Sequence, residues 1–224
     1  MEINSTDYHD YVIKGGKLIG EFEQMYAKSS GIPWHQNEQE NWLDVRLTCE
    51  LLREEGNYER IVDYGCGLGH YLDILVRKMG GGAGYGFDLS ETAVRKASDL
   101  FPEFRFIQAN LMVADNQGLK LPRINGKTLH VIRGTLWYVI PKIDNVVENL
   151  LAQLEEYDAL MVIQNFPPLN CNFVGKDIIP NPDALIKHFE VGSVHLDSHI
   201  WYERTKENSN DSWFIGIFKN KIND

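Results

Sequence analysis

The segment Ile61-Val62-Asp63-Tyr64-Gly65-Cys66-Gly67-Leu68-Gly69-His70 constrains this chain more than any other. It reads as a buried strand running into a glycine-rich turn and then a helix. The three glycines let the backbone bend sharply and approach a ligand closely, because glycine lacks a Cβ. A dinucleotide site is the first competitor, but its fingerprint places the third glycine one residue later, where His70 stands. A phosphate loop of the nucleotide-hydrolase type is excluded because no Gly-Lys-Ser/Thr follows the turn.

From Arg60 onward short apolar runs alternate with amphipathic stretches, the pattern of crossover units around a parallel sheet. It predicts strands at Arg60 to Tyr64, Ala83 to Asp88, Phe104 to Ala109, Thr128 to Arg133 and Tyr157 to Asn165. Helices are expected near His70 to Met79, Glu91 to Leu100 and Ile143 to Leu154. A helix around Asp183 to Phe189 then precedes two extended runs, Ser193 to Arg204 and Ser212 to Lys219, joined by the polar turn from Lys206 to Asp211. The expected fold is α/β, a doubly wound and mostly parallel sheet of about seven strands ending in an antiparallel hairpin. Upstream, helical spacing over Leu18 to Ala27 and over Glu38 to Glu55, the latter with Trp42, Val45, Cys49 and Leu52 on one face, predicts an N-terminal helical cap. The chain is expected to form a single domain, with a cap or lid over residues 1–58 and a cofactor-binding core over 59–224.

At 224 residues and 43% hydrophobic, the chain can bury one sizeable core. A net charge of −10 repels phosphate polymers and argues against nucleic acid as partner. Cys49, Cys66 and Cys171 lack the paired spacing of a zinc site or disulfide scaffold, which fits a reducing compartment. The opening MEINSTDYHD carries neither a signal-peptide pattern nor a lipidation signal, and no apolar run approaches membrane length. A cytoplasmic monomer or homodimer with no membrane partner is the expectation.

The segment VDYGCGLG closely resembles the first motif of class I S-adenosylmethionine-dependent methyltransferases, which share a Rossmann-like fold. The resemblance implies S-adenosylmethionine as cofactor and S-adenosylhomocysteine as product. It places Gly65, Cys66, Gly67 and Gly69 against the methionine and ribose, and Asp63 near the cofactor ammonium. Asp88, 19 residues after Gly69, ends the second strand, where a carboxylate can accept from both ribose hydroxyls. Leu89 offers an apolar face for adenine, Ser90 an N-cap, Asn110 an amide oxygen for the adenine amino group, and Leu111 its backbone groups. By the same resemblance Arg133 and Trp137 flank the strand end that faces the transferred methyl.

The methyl sulfonium is already a strong electrophile, so positioning of the acceptor dominates, helped by a base when the acceptor is a hydroxyl. Tyr11, Lys14, Trp34, His35 and Gln36 concentrate in the cap and are candidate acceptor ligands, with Lys14 and Lys17 flanking two glycines. Asn165 to Phe173, at the carboxyl end of the fifth strand, followed by a loop rich in Pro and Gly up to about Pro182, forms a second candidate surface expected to contribute specificity, with Phe166 as its candidate ligand. His195, Asp197 and His199 alternate along the sixth strand and are expected on one face. His35 and His199 are the candidate bases, and no metal is expected. The chain is also similar, less specifically, to small bacterial methyltransferases linked to surface-polysaccharide or O-methyl phosphoramidate biosynthesis. The expected reaction is methyl transfer to an oxygen of a small polar acceptor, such as a sugar or a phosphorylated or nucleotide-linked intermediate. An N-methyltransferase, an NAD-dependent oxidoreductase and an inactive binding protein of the same fold are the alternatives.

Overall fold

Alternate residues of the central strands feed two separate apolar cores, and that alternation organises the molecule. The computed structural model describes residues 5–14, 17–168, 170–206 and 209–221. The cap comprises α1 (His9–Val12), β1 (Ile13–Lys14), β2 (Lys17–Leu18), α2 (Phe22–Lys28), a 3-10 segment over Pro33–Asn41, and α3 (Leu43–Glu55). The core follows as β3 (Arg60–Tyr64), α4 (His70–Lys78), β4 (Ala83–Asp88), α5 (Glu91–Leu100), β5 (Arg105–Gln108) and β6 (Thr128–Arg133). Then come α6 (Leu136–Val139), α7 (Ile143–Leu151), β7 (Ala159–Phe166), α8 (Pro182–Phe189), β8 (Val194–Lys206) and β9 (Ser209–Asn220).

The seven-stranded sheet has the order β5-β4-β3-β6-β7-β9-β8. Strands β3 to β7 pair in parallel, and β9 is antiparallel to both β7 and β8. The order reverses between β3 and β6, so the carboxyl ends of these two strands open the crevice where such sheets bind ligands. Val62, Ile132, Leu160 and Val162 pack with α7 and α8 on one face, whereas Ile61, Val131, Met161 and Ile163 pack with α3 and α4 on the other. Both faces are covered, as a parallel sheet requires. Among the described residues no helix is long and apolar enough to cross a membrane.

Three expectations need correction. The helix drawn from Leu18 begins only at Phe22, because Gly20, at φ 72, turns the chain and Leu18 pairs with Ile13 in a small hairpin. Likewise α3 starts at Leu43 rather than Glu38. Left-handed backbone at Trp34 and His35 confines the preceding segment to 3-10 turns, and Trp42 caps the helix with 38% exposure instead of joining its buried face. In β8 a bulge at Asp197 resets the alternation, so His195 faces Lys219 and His199 faces Gly216. Partners three residues apart on β9 put the two imidazoles on opposite faces of the sheet. Gly15 and Gly16 beside Lys14, Leu169 after β7, and Glu207 and Asn208 of the expected turn lie outside the described residues.

The cap is fastened to the sheet by a buried ion pair. Arg133, ending β6, donates from Nε to Asp44 Oδ2 at 2.8 Å and from Nη1 to Gln39 Oε1 at 2.6 Å. Its guanidinium also lies 4.8 Å from the Tyr71 ring centroid. The pair is nearly sealed, with side-chain exposures of 11% and 3%. Removing one partner strands the other charge. Asp44→Ala should therefore cost about 3–5 kcal/mol in denaturant unfolding, and adding Arg133→Met should recover much of it; an Asp44→Ala chain as stable as the parent would show that the pair does not hold the cap.

Candidate active site

The strand β3 ends in a turn that only glycine can make here. Gly65 and Gly67 have φ of 80 and 55, in the left-handed region that disfavours a Cβ. A Cβ on Gly65 would collide with the Thr135 side chain, and one on Gly67 would lie 2.6 Å from Gln36 Nε2 and from the Tyr26 hydroxyl. The amides of Gly65 and Cys66 both donate to the Phe87 carbonyl, at 2.7 and 3.0 Å. Gly67 N–H donates to Asp88 Oδ2 at 2.9 Å, and Leu68 N–H to Gln36 Oε1 at 2.8 Å.

Asp88 ends β4 beside this turn. Its second oxygen, Oδ1, accepts the Ser90 amide at 2.9 Å, and Ser90 Oγ in turn caps α5 through Ala93 N–H at 3.1 Å. Burial pushes the Asp88 carboxyl above its ordinary value, against the backbone amides of Ser90 and Gly67. Each carboxylate oxygen keeps lone-pair capacity beyond these bonds.

A cavity of about 470 Å³ opens between the turn, the cap and the ends of β6 and β7. Asp63 lines it at 3% exposure. Among the described residues no hydrogen bond reaches its carboxylate. Burial raises its pKa to about 7, with Arg133 working in the opposite direction and Asp88 reinforcing the rise. Such a carboxyl suits a cation delivered by a ligand.

Most of the expected ligands meet at this cavity. Asp63, Gly65, Cys66, Asp88, Leu89 and Arg133 line it, as do Asn110 and Leu111. From the cap and β6 side come Trp34, His35, Gln36 and Trp137. Gly67 and Gly69 support the turn from behind, Gly69 packing against Phe106.

Four expected residues lie apart from it. Tyr11 is fully buried in the cap, its hydroxyl donating to Ser5 O at 2.7 Å. Lys14 is exposed on β1, outside the cavity lining. Phe166 is buried behind Trp137, whose ring centroid is 5.7 Å away. His199 is exposed on β8 and stacks on Phe214, also outside the lining. His35 is the imidazole at the cavity, with a φ of 50 and its Nδ1 3.7 Å from Glu38 Oε2.

Part of the wall carries no signal in the sequence, namely Tyr8, Phe22, Gln39, Tyr71 and Trp213. Tyr8, Phe22, Tyr26 and Tyr138 surround Trp34, with Tyr8 and Tyr138 ring centroids 5.4 and 5.8 Å from the indole. Gln39, Tyr71, Thr135, Asn165 and Trp213 also line it. The wall is strongly aromatic, and among the described residues its one Lys or Arg side chain is Arg133, already bonded to Asp44 and Gln39.

No protein-family model matches the chain, and no curated protein matches it in sequence. Solved structures do match its fold. It is similar to the N-methyltransferase NodS from Bradyrhizobium japonicum, in complex with S-adenosylhomocysteine, at 13% identity and TM-score 0.63, over 91% of this chain and 97% of that one. The magnesium protoporphyrin IX methyltransferase of Synechocystis with bound S-adenosylmethionine aligns at 15% identity and TM-score 0.55, over 97% and 93% of the two chains. A TehB-like methyltransferase from Corynebacterium glutamicum aligns at 18% identity and TM-score 0.55, over 84% of this chain and all of its own. At these identities the likeness establishes the fold, the Rossmann-like α/β architecture of these methyltransferases.

Asp63 makes stability depend on pH in a defined direction. Its folded pKa of about 7 exceeds the unfolded value of 3.8. The unfolded chain therefore ionises first, and its advantage grows as pH rises from the lower value to the higher and levels off beyond it. The gain in stability from Asp63→Asn should grow across that window to the order of 4 kcal/mol. A pH-independent difference between the two unfolding curves would contradict the assignment.

Proposed function

We propose that this chain is an S-adenosylmethionine-dependent methyltransferase that transfers the methyl group to an oxygen of a small polar acceptor. The observation that carries this reading is Asp63, a buried carboxylate on the cavity wall with no donor among the described residues. An ammonium group from the cofactor supplies the missing partner. Asp88 accepts from the ribose hydroxyls with the lone pairs left over from Gly67 and Ser90, and Leu89 and Leu111 flank the adenine beside Asn110. The sulfonium supplies an electrophilic methyl group; the chain supplies position. Residues 1–58 act as lid and 59–224 as cofactor core in this reading.

Acceptor attack forms the carbon–oxygen bond as the carbon–sulfur bond breaks. His35 is the proposed base for the hydroxyl proton, with Glu38 facing its Nδ1 and leaving Nε2 for the acceptor. A phosphorylated or phosphoramidate acceptor, the finer expectation from the polysaccharide resemblance, would need a cation. Arg133 is the one Lys or Arg candidate among the described residues of the lining, and its bonds to Asp44 and Gln39 favour an uncharged acceptor instead. Nitrogen as methyl acceptor would use the same cleft without requiring the base.

Two measurements test the reading. Tritiated methyl from S-adenosylmethionine should enter a metabolite extract with the parent chain and be lost with Asp88→Ala, whose cofactor affinity should fall about 10-fold or more through loss of charged hydrogen bonds. An Asp88→Ala chain of undiminished affinity would refute the ribose assignment. Calorimetric binding of S-adenosylhomocysteine at about pH 6, repeated in buffers of different ionisation enthalpy, should release close to one proton, because ammonium docking favours ionised Asp63. Asp63→Asn should remove that release, and a parent chain releasing none would place the ammonium elsewhere.

A further inference from the structure

The carboxyl end of β7 carries a carboxamide whose orientation its neighbours determine. Trp137 Nε1 donates to Asn165 Oδ1 at 3.2 Å, and Gln164 Nε2 donates to the same oxygen at 3.3 Å. An indole N–H is only a donor, so the Asn165 atom facing it must be the oxygen. Both lone pairs of that oxygen are then used, and Nδ2 has no partner among the described residues. Asn165 lines the cavity. With its oxygen held against Trp137 and Gln164, the amide has two N–H donors left for a ligand.

This arrangement carries a cost that needs a reason. Gln164 is 1% exposed, and its Oε1 has no partner among the described residues, so the acceptor is desolvated without a donor to compensate. The other half of the same amide holds Asn165 O at 3.1 Å as well as Oδ1. Buried polarity left half-satisfied is concentrated where it serves a function, and here it fixes the neighbouring side chain.

The position suits an acceptor. Ile163, two residues before Asn165, accepts the Gly134 N–H at 2.9 Å, so Asn165 stands beside the β6 end that leads into Thr135. Its cross-strand partner is Trp213, and both Trp213 and Trp137 line the cavity. Flat aromatic surfaces flank a fixed donor, and the nearby guanidinium is neutralised by Asp44.

We propose that Asn165 determines acceptor specificity, donating from Nδ2 to a second oxygen of an uncharged, hydroxylated ring that packs on the Trp137 and Trp213 indoles. Gln164 and Trp137 Nε1 are positioning groups for that amide. The inference rests on the methyltransferase reading. A phenolic ring and a neutral sugar share the required chemistry, and the test separates them.

The test uses Asn165→Asp, which keeps the shape and accepting oxygens for Trp137 and Gln164 but removes the N–H donors. Tritiated methyl transfer is measured to catechol, methyl glucoside and glucose-6-phosphate, alongside calorimetric titration of S-adenosylhomocysteine. Label should enter catechol if the ring is phenolic, or methyl glucoside if it is a sugar. With Asn165→Asp, affinity for S-adenosylhomocysteine should stay within about twofold, while kcat/KM for the labelled probe falls about 10- to 100-fold. If the ring is phenolic, the variant should also shift preference from guaiacol, whose ether oxygen can only accept, toward catechol, whose second hydroxyl can turn to donate to the new carboxylate; a merely structural role would not move that ratio. Trp137→Phe, which frees the amide to rotate, should lose part of the same discrimination. Unchanged kcat/KM in Asn165→Asp, label confined to glucose-6-phosphate, or no label in either neutral probe while S-adenosylhomocysteine binds would each overturn the assignment. Failure of the parent chain to bind S-adenosylhomocysteine would instead remove the methyltransferase reading on which it stands.

Discussion

The Asp88 carboxylate is shared between two backbone amides that belong to different crossover units. Oδ2 holds Gly67 of the turn after β3, and Oδ1 holds Ser90 at the start of α5. The glycine turn gives up its Cβ atoms for close approach and so loses side-chain packing that would otherwise fix it. Asp88 and the Phe87 carbonyl restore that order through four amide bonds, those of Gly65, Cys66, Gly67 and Ser90. The opposing effect is desolvation, which raises the Asp88 carboxyl. Charge-assisted bonds to amides are among the stronger neutral-donor contacts, so the ionised form remains the natural partner for this turn.

The cap depends on the same region. Glu23 of α2 accepts from Ser90 Oγ at 2.7 Å and from Thr92 N–H at 3.2 Å at the start of α5. Lys96 Nζ donates to Tyr26 O at 2.5 Å. Gln36 accepts from the Leu68 amide, and Arg133 binds Asp44 and Gln39. These attachments converge on the glycine turn, the first helix after β4, or the end of β6. The cap is therefore coupled to the surfaces that line the cavity, and a ligand that orders one should order the other. The left-handed pair Trp34 and His35 sits at the centre of this arrangement, where strained backbone is held by surrounding contacts rather than by local preference.

What the sequence made legible follows from local physics. β3, β4 and β6 were read to the residue because they are short, apolar and closed by glycine or polar residues, and α5 because Ser90 provides a side-chain cap. The meeting of Asp63, Gly65 and Asp88 at one cavity was equally readable, since they occur at spacings set by one strand-turn-helix unit and the next strand. The far wall of the cavity was not. Trp213, Tyr71 and Gln39 reach the cavity from β9, α4 and the 3-10 segment, and nothing in their local sequence marks them. Tyr11 and Lys14 looked like lid residues for want of any signal separating a buried cap tyrosine or an exposed hairpin lysine from a ligand. The single-residue bulge at Asp197 was invisible to a strict two-residue period, and it moved His199 off the expected face.

The central claim is that the glycine turn with Asp63 and Asp88 selects S-adenosylmethionine over a dinucleotide, although both ligands use a ribose-binding carboxylate after the second strand. Parallel calorimetric titration of the parent chain with S-adenosylhomocysteine and with NADH tests this most directly. The account predicts saturable one-to-one binding of S-adenosylhomocysteine and no saturable binding of NADH. Saturable NADH binding with none for S-adenosylhomocysteine would contradict it.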